Sequence, residues 1–187
     1  MPAKRVYPIK GWTVRRSFIL AAVITLAVVF ASCRGLDTNP PPKTAQTERF
    51  AIYLLPAEYF FEGIVITDCT TLGSELLGQE DIAAYNWARH DIVLQPSAGE
   101  YLAAQELTGK PFVICIGAAE IYRGEFMAAY MSRSSEGVVI LWPRMDGDTT
   151  HFSIQLGYPG ADFFVGADPR SDERIKAALI AAGLLQE

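Results

Sequence analysis

The sequence predicts an α+β domain: a small mixed sheet with two or three helices, the C-terminal helix packed on the sheet. Three observations carry this expectation. Residues 111–117 (PFVICIG) and 137–142 (GVVILW) are continuous apolar runs of the kind that form strands buried on both faces. Ile175, Ala178, Leu179 and Ala182 recur at i, i+3, i+4 and i+7, one face of a helix. Strand-like and helix-like stretches then follow one another in mixed order, without long internal repeats.

The chain opens with Lys4, Arg5, Lys10, Arg15 and Arg16, and no acid occurs before Asp37. The apolar run 18–30 has the length of a signal-peptide core and falls short of the roughly 20 residues a bilayer span needs. It ends in Phe30-Ala31-Ser32-Cys33, which resembles the lipobox of bacterial lipoproteins. That resemblance implies a signal peptide over 1–32, cleavage before Cys33 and a diacylglycerol on its thiol, so that the protein meets the membrane through Cys33. Arg15-Arg16 also fits a twin-arginine leader, and the general and twin-arginine export routes both stay open. Residues 33–48, with Pro40-Pro41-Pro42, read as a polar tether. Arg34, where an Asp signals retention at the inner membrane, favours the outer membrane in a double-membraned cell. Residues 49–187 are then a single α+β domain.

Loss of the signal changes the charge. The full chain carries 16 bases and 21 acids, and the part after residue 32 keeps 11 of the bases, a net charge near −10. Such a domain is repelled by nucleic acid. Cys69 and Cys115 remain as thiols. In an oxidising compartment they either form a disulfide or stay as two buried apolar groups, and the apolar run around Cys115 suits the second.

Within the domain, 50–55 predicts the first strand, stopped by Pro56. The aromatic and β-branched stretch 59–66 (YFFEGIVI) predicts a second strand. Residues 70–78 read as a loop or short helical turn, 79–85 as the start of a helix, and 87–95 as strand-like up to Pro96. Ser97 and Glu100 fit a capping box for a helix over 98–107, with Gly109 as its stop. After the strand at 111–117, a turn at 117–120 leads into 121–130, a partner strand whose Ala-rich end also suits a helix. Asp146-Gly147 is a hairpin signal between the strand at 137–142 and an alternating partner at 151–156. Asp168-Pro169 predicts the cap and first position of the last helix, and Gly183 its end.

Motifs with a known mechanism do not occur: there is no Walker loop, HExxH, GxSxG or paired CxxC, and neither a metal nor a cofactor is expected. His90 reads as a solvated residue at a strand start, and the acids near His151 (Asp146, Asp148) as turn residues. Ser97 serves its cap better than it would serve as a nucleophile. The candidate binding surface is Glu120, Tyr122, Arg123 and Glu125, on a turn and strand after a buried strand. Strict alternation places Glu120, Tyr122 and Gly124 on one face and Ile121, Arg123 and Glu125 on the other, with Gly124 admitting a ligand or a second backbone. Tyr158, Asp162, Phe163 and Phe164 form a second polar-aromatic stretch that suits core cover.

From Asp81 onward the chain resembles a group of uncharacterised bacterial lipoproteins. The matching residues are Asp81-Ile82, Tyr85, Gly109-Lys110-Pro111-Phe112-Val113, Ile121-Tyr122, Gly124, Phe126, Gly137-Val138-Val139-Ile140, Gly157-Tyr158-Pro159, Asp162-Phe163-Phe164 and Asp168-Pro169-Arg170. Residues 97–140 are also similar in element order to the periplasmic head domain of the export-translocon subunit SecD, although Gly117-Ala118-Ala119-Glu120 replaces its usual Asp-Gly turn. The first resemblance implies an address in the cell envelope and a domain extent, the second a fold. The expected role is a lipid-anchored, non-catalytic binding or envelope-interaction module with a protein partner in the envelope. The alternative is an envelope hydrolase using an acid pair, Glu120 with Glu125 or Asp146 with Asp148, which requires those carboxylates to converge in a pocket.

Overall fold

The computed structural model describes residues 48–73 and 75–187. The expected signal at 1–32, Cys33 and the tether up to residue 47 lie outside the described residues. Nine strands form one mixed sheet: β1 (Phe50–Leu54), β2 (Glu75–Gly78), β3 (Ile82–Asn86), β4 (Asp91–Leu94), β5 (Pro111–Ile116), β6 (Ala119–Met127), β7 (Ser135–Leu141), β8 (His151–Tyr158) and β9 (Leu185–Gln186). Three helices accompany them: α1 (Ala57–Phe61), α2 (Pro96–Ala103) and α3 (Glu173–Ala181). The fold is α+β, with a sheet larger than the small one expected.

The sheet order is β2-β1-β5-β6-β7-β8-β4-β3-β9. Neighbours run antiparallel except β6 with β7 and β3 with β9. Every residue of β5 is buried, as its unbroken apolar run requires, because β5 lies between β1 and β6 and is covered on both faces. One face of the sheet holds the main core, where Phe50, Ile52, Phe112, Phe126, Ile140 and Phe152 meet Leu102 of α2 and Ile175, Ala178 and Leu179 of α3. The α3 face is the one expected, and the chain turns at Gly183 into β9.

The opposite face is covered in part. At its β1–β5 end, Ala51, Tyr53, Val113 and Cys115 pack under the 55–72 segment. Cys69 and Cys115 are joined there as a disulfide, both fully buried. Nearer the middle, Met127, Val139 and Tyr158 form a small third cluster. The face over β8 and β4 is left open.

Several local expectations are corrected. Residues 59–66 are not a strand: Pro56 opens the short helix α1, and a loop follows. The segment lies across the face of β1 and β5, where Tyr59, Phe60 and Ile66 pack on the second core cluster, and not beside a strand. Residues 79–85 do not start an α-helix. A 3₁₀ turn (Gln79–Asp81), closed by Gly78 N–H donating to Asp81 Oδ2 at 2.8 Å, leads straight into β3. Of residues 70–78, read as a loop or short helical turn, the first part lies in a 3₁₀ turn (Cys69–Leu72), while 75–78 form the edge strand β2 against β1. Ser97 is not a cap. Gln95 holds that place, Pro96 takes the first helical position where its missing N–H costs nothing, and the helix ends at Ala103. At the C-terminus, Asp168 closes a turn on the Arg170 N–H at 2.9 Å, while Asp172 caps α3 through the Arg174 N–H at 2.9 Å. Both Asp residues make the same two-residue loop to the backbone, and only the second is followed by a helix.

Candidate functional site

The four residues of the expected surface do not form one surface. A register shift between Ile114 and Cys115 makes Ile121 an extra residue on β6, so the alternation slips by one. Glu120 therefore faces the same side as Arg123, which donates to it from Nε at 2.6 Å and from Nη2 at 2.8 Å. Arg123 also donates to the backbone carbonyls of Tyr59 at 2.5 Å and Ile64 at 2.7 Å. Its role is a clamp that fixes the 57–66 segment. Glu125 is buried and paired with Arg133. Tyr122 points into the main core. Gly124 does admit a second backbone: a Cβ there would sit 2.5 Å from the Val138 carbonyl oxygen of β7 and 2.5 Å from Cζ of Phe112.

The acid pairs do not converge either. Glu120 and Glu125 bind separate arginines opposite the two ends of β5. Asp146 is held down to about 2, first by the Arg144 guanidinium and then by the Asp148 N–H. The Thr150 N–H and hydroxyl and His151 hold Asp148 below the usual carboxylate range. A carboxylate stabilised as its anion is a poor proton donor near neutral pH.

The open sheet face carries a groove that sequence reading missed. It has a volume of ≈330 Å³ and is lined among others by Arg89, Asp91, Arg144, Asp148, His151 and Ser153. His151 and Ser153 stand two apart on β8, so both project outward while Phe152 and Ile154 enter the core. Asp91 comes from β4, paired with Ser153 in the ladder, and Arg89 from the turn between β3 and β4. Asp91 accepts from Arg89 Nε at 2.7 Å and from the Ser153 hydroxyl. Asp148 accepts from the Thr150 N–H at 2.7 Å and lies 2.8 Å from Nδ1 of His151. The loop bearing Arg144 and Asp148 is seated against α2, where Gly99 leaves room for the Thr149 carbonyl.

A second hollow of ≈300 Å³ adjoins this groove and shares Arg144 and Ser153 with it. Its other walls are largely apolar, from Ala129, Leu141, Pro143 and Met145. The combined surface is charged at one end and apolar at the other. Ser153 is oriented toward Asp91, and among the described residues no hydrogen bond joins it to His151. The arrangement is built to hold charged and polar groups by hydrogen bonds, from side chains already fixed in place. Among the described residues no group of three or more His, Cys, Asp and Glu side chains is placed to hold a metal ion.

A polar cluster lies inside the main core. His90, expected in solvent, is 6% exposed and adopts φ +54°. Its Nδ1 is 3.0 Å from the Tyr85 hydroxyl, and its ring packs edge-on to Tyr85 and Trp87. Burial first, then the positive Arg170, lowers the pKa of His90. Burial also raises Tyr85 and Tyr122, so both phenols keep their protons. Arg170 is tied to Asp168 at 2.8 Å and donates to the Ile154 carbonyl at 2.8 Å. No local pattern announces this cluster, because its members come from β3, β6, the turn after β3 and the segment before α3. Of the second polar-aromatic stretch, Tyr158 is buried and donates to the Ala129 carbonyl at 2.8 Å, Phe164 packs on the core, and Phe163 is exposed. No family model, curated protein or solved structure matches the chain.

Proposed function

We propose that this protein is a lipid-anchored, extracytoplasmic binding module that takes its partner in the groove over β4 and β8. The observation that carries the reading is the groove itself. Two arginines, two aspartates, a histidine and a serine are held in place by hydrogen bonds on the open part of the sheet face, beside an apolar hollow. Side chains fixed before binding lose little freedom when a ligand arrives. The lipobox-like end at Cys33 and the polar stretch after it support attachment to a membrane, with the domain facing out of the cytoplasm.

The test is in-cell photocrosslinking of the full chain. A photoreactive residue replaces Gln186, which lines the groove, and the control position is exposed Glu136. A reproducible adduct at the first position, absent from the second and lost in Arg89→Ala with Asp148→Ala, is the expected result. An adduct indifferent to those substitutions would place recognition elsewhere. Acyl mass on the Cys33 peptide is expected, and a Cys33 peptide without it overturns the anchor.

A further inference from the structure

We propose that the 57–66 segment is a membrane-contacting loop, with Phe61, Ile64 and Val65 entering the surface of a zwitterionic phospholipid bilayer. The inference rests on the lipid-anchored reading above. Phe61 and Val65 are each 77% exposed and Ile64 38% exposed. Three large apolar side chains thus project within five residues of one another. Isolated exposed apolar residues are ordinary, but a contiguous group on one loop marks a contact surface.

This exposure is not the result of a loose loop. Arg123 ties the backbone at Tyr59 and Ile64, Tyr59 and Phe60 pack on the second core cluster, and Cys69 is bonded to Cys115 just beyond. The backbone is held while Phe61, Ile64 and Val65 are turned outward. Side chains three-quarters exposed protrude, which suits insertion among headgroups better than docking into a flat protein face.

Position selects the bilayer as the occupant. The turn between β5 and β6 binds both segments: Gly117 N–H donates to the Arg49 carbonyl at 2.9 Å, and Cys69 N–H donates to the Ala118 carbonyl at 2.9 Å. The segment starts by the Pro111 end of β5, where the Leu55 N–H donates to the Pro111 carbonyl at 2.9 Å, and its exit at Cys69 lies where the domain's chain begins. Fifteen residues separate Arg49 from Cys33, a span of at most about 58 Å when fully extended. An acyl group on Cys33 keeps this end of the domain near the bilayer.

Charge narrows the lipid. Glu58 and Glu62 flank the apolar side chains in solvent, no Lys or Arg occurs between Arg49 and Arg89 in the chain, and Arg123, which holds the loop, is neutralised by Glu120. Anionic headgroups would repel this loop, whereas neutral zwitterionic ones leave apolar burial to act.

The test reconstitutes the full chain in phosphatidylcholine vesicles containing a small fraction of phosphatidylcholine with a photoactivatable acyl chain. After irradiation, adducts are mapped by mass spectrometry. Adducts are expected on Phe61, Ile64 and Val65, reduced at least tenfold in a Phe61→Ser, Val65→Ser variant, and absent around the equally apolar, exposed Val165. Both substituted side chains are exposed, so the unfolding midpoint of the variant is expected to match the parent. Adducts confined to residues before Glu48, or no association with the vesicles, overturn the proposal. So does a protein crosslinked to this segment in cell envelopes without a lipid adduct. The same digest reports the acyl mass on Cys33. An unacylated Cys33 with a lipid-labelled loop overturns the anchor and supports the loop.

Discussion

The Tyr85 hydroxyl lies 3.0 Å from Nδ1 of His90, inside the core and away from solvent. The phenol keeps its proton, and burial followed by the positive Arg170 favours the neutral imidazole. Tyr85, Trp87, Arg170, Asp168 and Asp91 are the groups that face it, and the two acids oppose burial and Arg170 only in part.

Stability is therefore expected to fall in mild acid. The folded pKa of His90 lies below its ordinary 6.5, so the unfolded chain binds the extra proton first. The contribution is complete above about pH 6.5 and declines as pH drops from there toward the folded value. His90→Asn, a residue that tolerates positive φ, should flatten the pH dependence of the urea midpoint between about pH 5 and 6.5. An unchanged slope would show that His90 does not titrate in this window.

Tyr122→Phe should stabilise the domain by about 1 kcal/mol. The Tyr122 hydroxyl is buried without a hydrogen-bond partner among the described residues. Removing an unsatisfied buried hydroxyl recovers its desolvation cost while the ring keeps its packing. Chemical denaturation measures this directly, and a loss of stability would reveal a bound water bridging that oxygen to the cluster.

Gly124→Ala should destabilise by about 2 kcal/mol. The new methyl group meets the Val138 carbonyl oxygen and the Phe112 ring at 2.5 Å, and the β6–β7 ladder cannot move apart without losing its pairing. Gly137→Ala is the control. Its nearest neighbour is Ser135 Oγ at 4.0 Å, and a change within about 0.5 kcal/mol is expected.

Replacing Cys69 and Cys115 together by Ala should cost about 4 kcal/mol. The bond closes a loop with a sequence separation of 46, whose freedom in the unfolded chain is then restored. The loss should be largest in hydrogen exchange of the 55–72 segment, which the bond pins to β5. A stability loss below about 1 kcal/mol would mean that the packing of Ala51, Tyr53 and Val113 holds this segment unaided.

By itself the sequence determined the parts whose signal is local. The runs at 111–117 and 137–142 became β5 and β7: β5 is buried throughout between two covered faces, and β7 is buried at Val138, Val139 and Ile140 with Gly137 exposed. The 3.6-residue spacing of Ile175, Ala178 and Leu179 placed α3 on the core in the same way. Tertiary structure decided everything that depends on which edge or cavity remains free. Residues 59–66 carry strand-like side chains but pack over the face of β1 and β5, where they form a helix and an exposed loop. One extra residue at Ile121 turned Glu120 toward Arg123 and Tyr122 into the core, which dissolved the expected surface. The groove and the His90 cluster join residues dozens of positions apart. A strand's period of two says which side chains share a face, but only the pairing of β4 with β8 says which strands share that face.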